Sequence, residues 1–208
     1  GNWKLKIPLA MFNILEGGAH VSIRAKPAGI PTAEGGGTDN YLDIQEFIII
    51  PQKETFAENL ILCNKIFQNL KENIEKNYSK VEMGDEGGFA PQISKTEQAL
   101  FFLKSAIKDE DIKIALDVAA SQFYKDGKYK IDGQEFTDAG LLEFYESLIN
   151  NFPIISIEDP FAEEDWNGFK SIVRQLGGKI IIVGDDLTTT NIKRIKEAPD
   201  NDAPITAR

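Results

Sequence analysis

Cysteine is almost absent from this sequence of 208 residues. The one cysteine, Cys63, cannot form a disulfide within the chain, and this favours a reducing, cytoplasmic compartment. The sequence contains neither a signal peptide nor an apolar run long enough to cross a membrane. We therefore expect no membrane partner.

Basic residues are also scarce relative to acidic ones. Lys and Arg total 23 against 33 Asp and Glu, which gives a formal net charge of −10. This balance argues against a nucleic-acid partner, although a merely solvated acidic exterior has the same composition. A hydrophobic content of 42% in a chain of this length allows one or two domains with a substantial core.

Histidine occurs once, as His20, shortly after the pair Gly17 and Gly18. Taken alone, a single histidine is more often structural or exposed than catalytic. The glycine pair allows a sharp turn or a close approach to a ligand, but it does not form the G-x-G-x-x-G pattern. A dinucleotide-binding fold is therefore not indicated.

What the sequence does contain is a repeated unit, an apolar β-branched run that ends in acidic residues. Such a run is typical of a parallel strand covered on both faces, and active sites of α/β proteins lie where such strands end. Carboxylates that converge in a low-dielectric site need a cation between them, and oxygen-only ligands favour Mg²⁺. The runs are residues 154–157 before Glu158 and Asp159, 112–116 before Asp117, and 179–183 before Asp185 and Asp186.

Two more groups of polar residues are candidates for a site. Gln45 and Glu46 lie within residues 42–51, which otherwise have the pattern of a buried strand, and two polar residues in succession there suggest a site. Asp85 and Glu86 lie in the string GDEGG, which favours a turn with an accessible backbone. A tight surface turn is the alternative for that string.

The order of predicted elements is two adjacent strands, two helices and then repeating strand–helix units. This order favours a parallel, right-handed α/β winding, and candidates at strand ends favour an incomplete (β/α) barrel of the TIM type. Residues 21–40 are expected to form a loop insertion and residues 199–208 a disordered tail. The other predicted elements are strands at 7–15 and 42–51, helices at 55–78, 94–108, 138–150 and 166–176, a hairpin at 124–129, and a last helix that starts at 189–191.

Six sequence blocks resemble the signature blocks of the enolase family. One such block would be a weak match, whereas six in the same order along nearly the whole chain are specific. The resemblance implies a partial barrel domain over residues 1–208, the central part of the family's C-terminal barrel, with about five of eight strands and without the N-terminal lid domain. The blocks are NILEGGAH at 13–20, DIQEF at 43–47, GDEGGFAP at 84–91, LDVAAS at 116–121, SIED at 156–159 and GDDL at 184–187.

The resemblance also implies an activity and a cofactor. The family's enzyme is a glycolytic phosphopyruvate hydratase, a lyase that dehydrates 2-phosphoglycerate to phosphoenolpyruvate with Mg²⁺. Asp117, Glu158 and Asp185 match the family's Mg²⁺ ligands, which agrees with the prediction from the strand ends. Glu158 and Asp185 are also expected to face the substrate.

Four further residues take roles from the same resemblance. Glu86 matches the acid that, with Glu46, acts on the departing hydroxyl group, and both are expected to be catalytic. His20 matches a histidine near the substrate's phosphate and is expected to bind substrate and take part in catalysis. Gln45 matches an amide that contacts the substrate, as Glu46 does.

The sequence departs from the family pattern at several points. Glu16 stands where the family normally has Asn, and the 21–40 loop is longer than the family's histidine loop. These differences put in question whether the loop closes over the substrate as it does in the family. The family's lysine base and Ser-His-Arg phosphate-binding loop find no match, since Lys193, Arg194 and Lys196 lie in no such motif. Three hypotheses follow: an incomplete enolase-type enzyme, a non-catalytic Mg²⁺-binding protein, or one chain of a split enzyme. We expect a homodimer or a complementing chain as partner.

Overall fold

The computed structural model of the chain describes residues 8–21, 41–78 and 81–200. Nearly all of the predicted 21–40 loop, and the tail from residue 201 onward, lie outside these residues. The strands are β1 Phe12–Glu16, β2 Glu46–Pro51, β3 Ile112–Asp117, β4 Tyr124–Lys125, β5 Lys128–Ile131, β6 Gln134–Phe136, β7 Ile154–Glu158 and β8 Ile181–Val183. The helices are α1 Phe56–Asn77, α2 Thr96–Ile107, α3 Asp138–Asn151, α4 Trp166–Leu176, α5 Asp185–Thr188 and α6 Ile192–Asp200, with short 3-10 turns at Gly18–His20 and Ala120–Phe123.

Five of these strands form one sheet in the order β1-β2-β3-β7-β8, and β4, β5 and β6 form a small separate sheet. The pairs β3–β7 and β7–β8 are parallel, as the strand–helix alternation predicts. A wholly parallel winding is wrong, because β2 is antiparallel to both β1 and β3. Two helices separate β2 from β3, so the chain leaves the sheet at Pro51 and returns directly opposite, at Ile112. Within the described residues the sheet does not close into a barrel.

The helices begin where the sequence supplies capping groups. Thr55 Oγ1 accepts a hydrogen bond from the backbone N–H of Glu58, and the Glu58 carboxylate accepts one from the backbone N–H of Thr55. The capping box predicted at the start of α1 is therefore confirmed. Side chains of Thr137 and Asp165 cap α3 and α4 in the same sense. None of the described helices is both long and apolar enough to span a membrane.

Both faces of β2 are covered, as its apolar run predicts. Phe47 and Ile49 point into the main core, which lies between the sheet and the helices. Ile48 and Ile50 point to the opposite face, where they form a smaller cluster with Ala115. The strands that lead to the candidate site are therefore held from two sides.

The start of β2 differs from the prediction. The strand begins at Glu46 and not at residue 42, so Gln45 lies in the bend that precedes it. The cause is the turn after β1: Gly17 and Gly18 donate backbone hydrogen bonds to the carbonyl oxygens of Gln45 and Leu42 at 3.0 and 2.8 Å. Because of these hydrogen bonds, residues 42–45 do not join the strand ladder. β1 itself is Phe12–Glu16, so residues 8–11 of the predicted 7–15 strand do not belong to it, and residue 7 lies outside the described residues.

The boundaries near the end of the chain also differ. β8 begins at Ile181 rather than at 179, because the backbone N–H of Lys179 donates to the Leu176 carbonyl and extends the end of α4. Asp185 is the first residue of the short helix α5. The last helix, α6, runs to Asp200, so the predicted tail is wrong for its first two residues.

Candidate active site

Four acidic residues lie in one row across the sheet. Glu16 of β1 pairs with Glu46 of β2, Glu46 with Asp117 of β3, and Asp117 with Glu158 of β7. The row ends at Val183 of β8. The antiparallel direction of β2 makes this row possible, because its first residue then lies at the rim where β1, β3 and β7 end.

A group of buried carboxylates lies where the row crosses β3 and β7. Ligand oxygens of Asp117, Glu158 and Asp159 all lie within 4.8 Å of one another. These residues are only 6%, 5% and 3% exposed. Asp185, the third ligand predicted from the sequence, does not belong to this group. The structure thus brings together two of the three predicted ligands and adds Asp159; we call these three residues the carboxylate group.

The electrostatics of the carboxylate group fit a divalent cation. Burial raises the pKa of Asp159 to about 7, against hydrogen bonds from the amides of Asp186 and Leu187, and the charges of Asp186 and Asp117 add to the rise. A raised pKa means that ionisation of the Asp159 carboxyl group is unfavourable, as expected where other negative charges lie close and little water is present. Carboxylate oxygens without sulfur or imidazole are the donor set of hard ions such as Mg²⁺. The residues present therefore fit the cofactor predicted from the sequence.

Asp159 also ties β7 to the segment that contains Asp185. Its backbone N–H donates to the Val183 carbonyl, and its Oδ2 accepts from the Asp186 N–H, both at 3.0 Å. Its φ of 43° lies in the left-handed region, which residues other than glycine rarely adopt. Strain of this kind persists where surrounding contacts impose it, and it concentrates at functional sites.

A second group, which we call the histidine group, consists of His20, Glu46 and Glu86. The Nδ1 atom of His20 lies 3.6 Å from Glu46 Oε1 and 3.9 Å from Glu86 Oε2. The Glu46 side chain is only 7% exposed, whereas that of Glu86 is 52% exposed. Asn13 Nδ2 donates to Glu86 Oε2 at 3.3 Å. The three residues predicted as catalytic therefore meet in space, with one carboxylate in the sheet and one facing solvent.

Gln45 connects the two groups. Its Nε2 donates to Asp117 Oδ2 at 3.4 Å, and its Oε1 accepts a short hydrogen bond from Gln122 Nε2. Because Gln45 directly precedes Glu46, it adjoins the histidine group along the chain and the carboxylate group through space. Gln45 therefore lies at the same rim as both groups, and its contact with the substrate stays a prediction.

Most of the chain matches a known family. The family model described as "Enolase, C-terminal TIM barrel domain" matches residues 27–205. The chain belongs to this enolase domain family. The match includes the carboxylate group and Glu46 and Glu86 of the histidine group, whereas His20 precedes it. Membership of the enolase domain family agrees with the predicted barrel fold class. The described residues form only part of such a barrel, as an open five-stranded sheet.

Glu16, which the family resemblance marks only as a departure, anchors the loop that contains Glu86. Glu16 is fully buried; its Oε2 accepts from the Glu86 N–H at 3.2 Å, and its Oε1 accepts a short bond from the Gly88 N–H. The loop wraps closely around this carboxylate, since a Cβ at Gly84 would lie 1.9 Å from Glu16 Oε2. The GDEGG string is therefore a fixed part of the site and not a free surface turn.

Three residues at the site have no assigned role in the sequence analysis. Asp159 is marked there with Glu158 as an acid at a strand end, but the predicted ligand set takes only Glu158 of the two. Glu16 could have been found as an acid at the end of a predicted strand, which is the signal used for the other carboxylates. Gln122 gave no signal, because an amide after β3 carries neither charge nor a characteristic spacing.

Proposed function

We propose that the protein dehydrates 2-phosphoglycerate to phosphoenolpyruvate in a Mg²⁺-dependent reaction. The observation that supports this most is the row of acids, which puts the carboxylate group and the histidine group at one rim. In the reaction the C2–H and C3–O bonds break, the C2–C3 double bond forms, and the hydroxyl group leaves as water. Such a site needs positive charge for the substrate's carboxylate and an acid for the hydroxyl group.

Asp117 and Glu158 would hold the Mg²⁺ ion, with Asp159 or Asp185 as a third ligand. When bound, Mg²⁺ supplies the positive charge that stabilises negative charge building on the substrate's carboxylate. Gln45 donates to the Asp117 carboxylate and so limits its orientation. Burial of these acids excludes water and strengthens their interaction with a cation.

Glu86 is suited to act as the acid. Its side chain is half exposed and can reach a bound substrate, while Glu16 fixes its backbone and Asn13 donates to its carboxylate. In its protonated form Glu86 would give its proton to the leaving hydroxyl group. His20 lies between Glu86 and Glu46, where a proton on Nδ1 faces both carboxylates. We place His20 next to the substrate's phosphate group.

Removal of the C2 proton needs a base. Arg194 is occupied elsewhere: its Nη1 lies 2.9 Å from Glu164 Oε1, and its guanidinium group lies 5.2 Å from the centre of the Trp166 ring. Among residues 8–21, 41–78 and 81–200 no lysine lies in the family's motif for this role. We infer that the base comes from a segment outside these residues, in the same chain or in a partner.

Turnover can be tested by the ultraviolet absorbance of the enol product. The chain is assayed with Mg²⁺, alone and together with a polypeptide that supplies further barrel strands. We expect turnover in at least one of these two conditions, and we expect EDTA to abolish it. Glu86→Gln should lower kcat by about 10²- to 10⁴-fold. Glu72→Gln, at an exposed position of α1, is the matched control and should leave kcat unchanged.

The pattern of results separates the hypotheses. Turnover only after mixing supports one chain of a split enzyme. Binding of Mg²⁺ without turnover under either condition would contradict the proposed activity and favour a non-catalytic metal-binding protein. Sedimentation velocity on the same samples tests for the proposed homodimer or complementing partner.

A further inference from the structure

No role is predicted for Gln122 from the sequence, yet its side chain contacts both the turn that contains His20 and the residue that contacts the carboxylate group. It belongs to the 3-10 turn Ala120–Phe123 that follows β3. Its Oε1 accepts a hydrogen bond of 2.8 Å from the backbone N–H of Ala19, the residue before His20. Its Nε2 donates to Gln45 Oε1. Gln45 in turn donates to Asp117 Oδ2 at 3.4 Å.

These bonds form a chain with a fixed direction. At one end the Ala19 N–H can only donate, and at the other end the Asp117 carboxylate can only accept when ionised. Each amide between them has one accepting oxygen and one donating nitrogen. All three bonds can therefore form only if Gln122 directs its oxygen to Ala19 and Gln45 directs its nitrogen to Asp117.

The turn before His20 is built around this contact. Gly18 has a φ of +49°, and a Cβ at this position would lie 2.7 Å from Gln122 Oε1. The backbone of Gly18 is also held by its N–H, which donates to the Leu42 carbonyl at 2.8 Å. Gln122 is thus the side chain against which the Gly18–His20 turn is seated.

We propose that Gln122 is a positioning residue that holds the His20 turn in register with the carboxylate group. It acts through Ala19 on one side and through Gln45 and Asp117 on the other. A cation bound to Asp117 fixes the end of this chain, and His20 responds to it. The response to a cation rests on the proposed function, whereas the placement of the His20 turn does not.

The experiment uses the full chain and the ring signals of its single histidine, which need no assignment in an NMR spectrum. Gln122→Met keeps the length of the side chain and removes both hydrogen bonds. Without Mg²⁺, we expect it to move the His20 ring signals and to speed hydrogen exchange at the Ala19 amide by about fivefold or more, as for the loss of one hydrogen bond. Gln175→Met, at an exposed position of α4, is the control and should do neither.

With Mg²⁺, the ring signals of the wild-type protein should shift further, and those of Gln122→Met should not. Gln122→Glu is the second variant: it keeps an acceptor for Ala19 but cannot donate to Gln45. We expect it to leave Ala19 exchange near that of the wild type and to remove the Mg²⁺-dependent shift of His20. Partial rescue of this kind would not follow from a general loss of stability.

The proposal is overturned if Gln122→Met matches Gln175→Met at both Ala19 and His20 in the metal-free protein. It is overturned also if Gln122→Glu keeps the full response of His20 to Mg²⁺. Failure of the wild-type protein to bind Mg²⁺ would count against the proposed function alone, because the metal-free comparison tests the placement of the turn by itself.

Discussion

Replacing Glu16 by Gln tests how the loop that contains Glu86 is held. Gln has one carbonyl oxygen, so only one of the two amides that Glu16 accepts from, those of Glu86 and Gly88, keeps an acceptor. The other amide then faces an NH₂ group in a fully buried position. An unsatisfied buried donor costs about 1–3 kcal/mol, and the surviving bond loses its charge assistance.

A second effect has the opposite sign. Gln removes a buried negative charge, and the desolvation of that charge opposes folding in the wild-type protein. Because two backbone amides point at the Glu16 carboxylate, we expect the loss of hydrogen bonding to win, with a net loss of about 2–4 kcal/mol. In urea this lowers the unfolding midpoint by about 1 M.

The assay combines urea unfolding with hydrogen exchange at the Glu86 and Gly88 amides. Glu72→Gln makes the same chemical change at an exposed position of α1 and serves as control. We expect faster exchange at one or both loop amides in Glu16→Gln and no change in the control. Equal stability of the two variants, together with unchanged exchange in the loop, would refute the anchoring role of Glu16.

Two further predictions concern the packing around the site. Gly84→Ala should destabilise the protein by about 2 kcal/mol or more relative to Gly178→Ala, because its Cβ would overlap Glu16 while that of Gly178 meets nothing within 4 Å; equal urea midpoints would contradict this. Burial raises the pKa of Asp43 to about 6, and the charge of Asp132 adds to the rise. The stability that protonated Asp43 contributes is therefore present below pH 4 and lost as the pH rises through 6. Asp43→Asn avoids this loss, so between pH 4 and pH 8 its stability relative to the wild type should rise by up to about 3 kcal/mol; a stability difference that does not change with pH would contradict the assignment.

Much of the fold follows from local pattern. The boundaries of α4 agree with the helical spacing, and the capping box at Thr55 sets the start of α1. β3 and β7 follow from their apolar runs, and their acids converge because parallel strands end at one rim. These features depend on residues that are close in the sequence.

The rest depends on contacts between distant segments. The antiparallel direction of β2 follows from the pairing of Pro51 with Ile112, which a local pattern does not contain. Glu16 and the GDEGG loop are some 70 residues apart, so their packing could not be predicted from either alone. Asp159 lies in the carboxylate group with its backbone in the left-handed region, a conformation that its residue type does not predict.

The central claim is that carboxylates at this rim bind one divalent cation, and isothermal titration with Mg²⁺ tests it most directly. The account predicts one Mg²⁺ per chain and at least about tenfold weaker binding in Asp117→Asn and Glu158→Gln. Each variant removes one negatively charged ligand, and a site with fewer charged ligands binds the cation less tightly. Asp159→Asn and Asp185→Asn identify the third ligand. No binding by the wild-type protein, or unchanged affinity in Asp117→Asn and Glu158→Gln, would contradict the account.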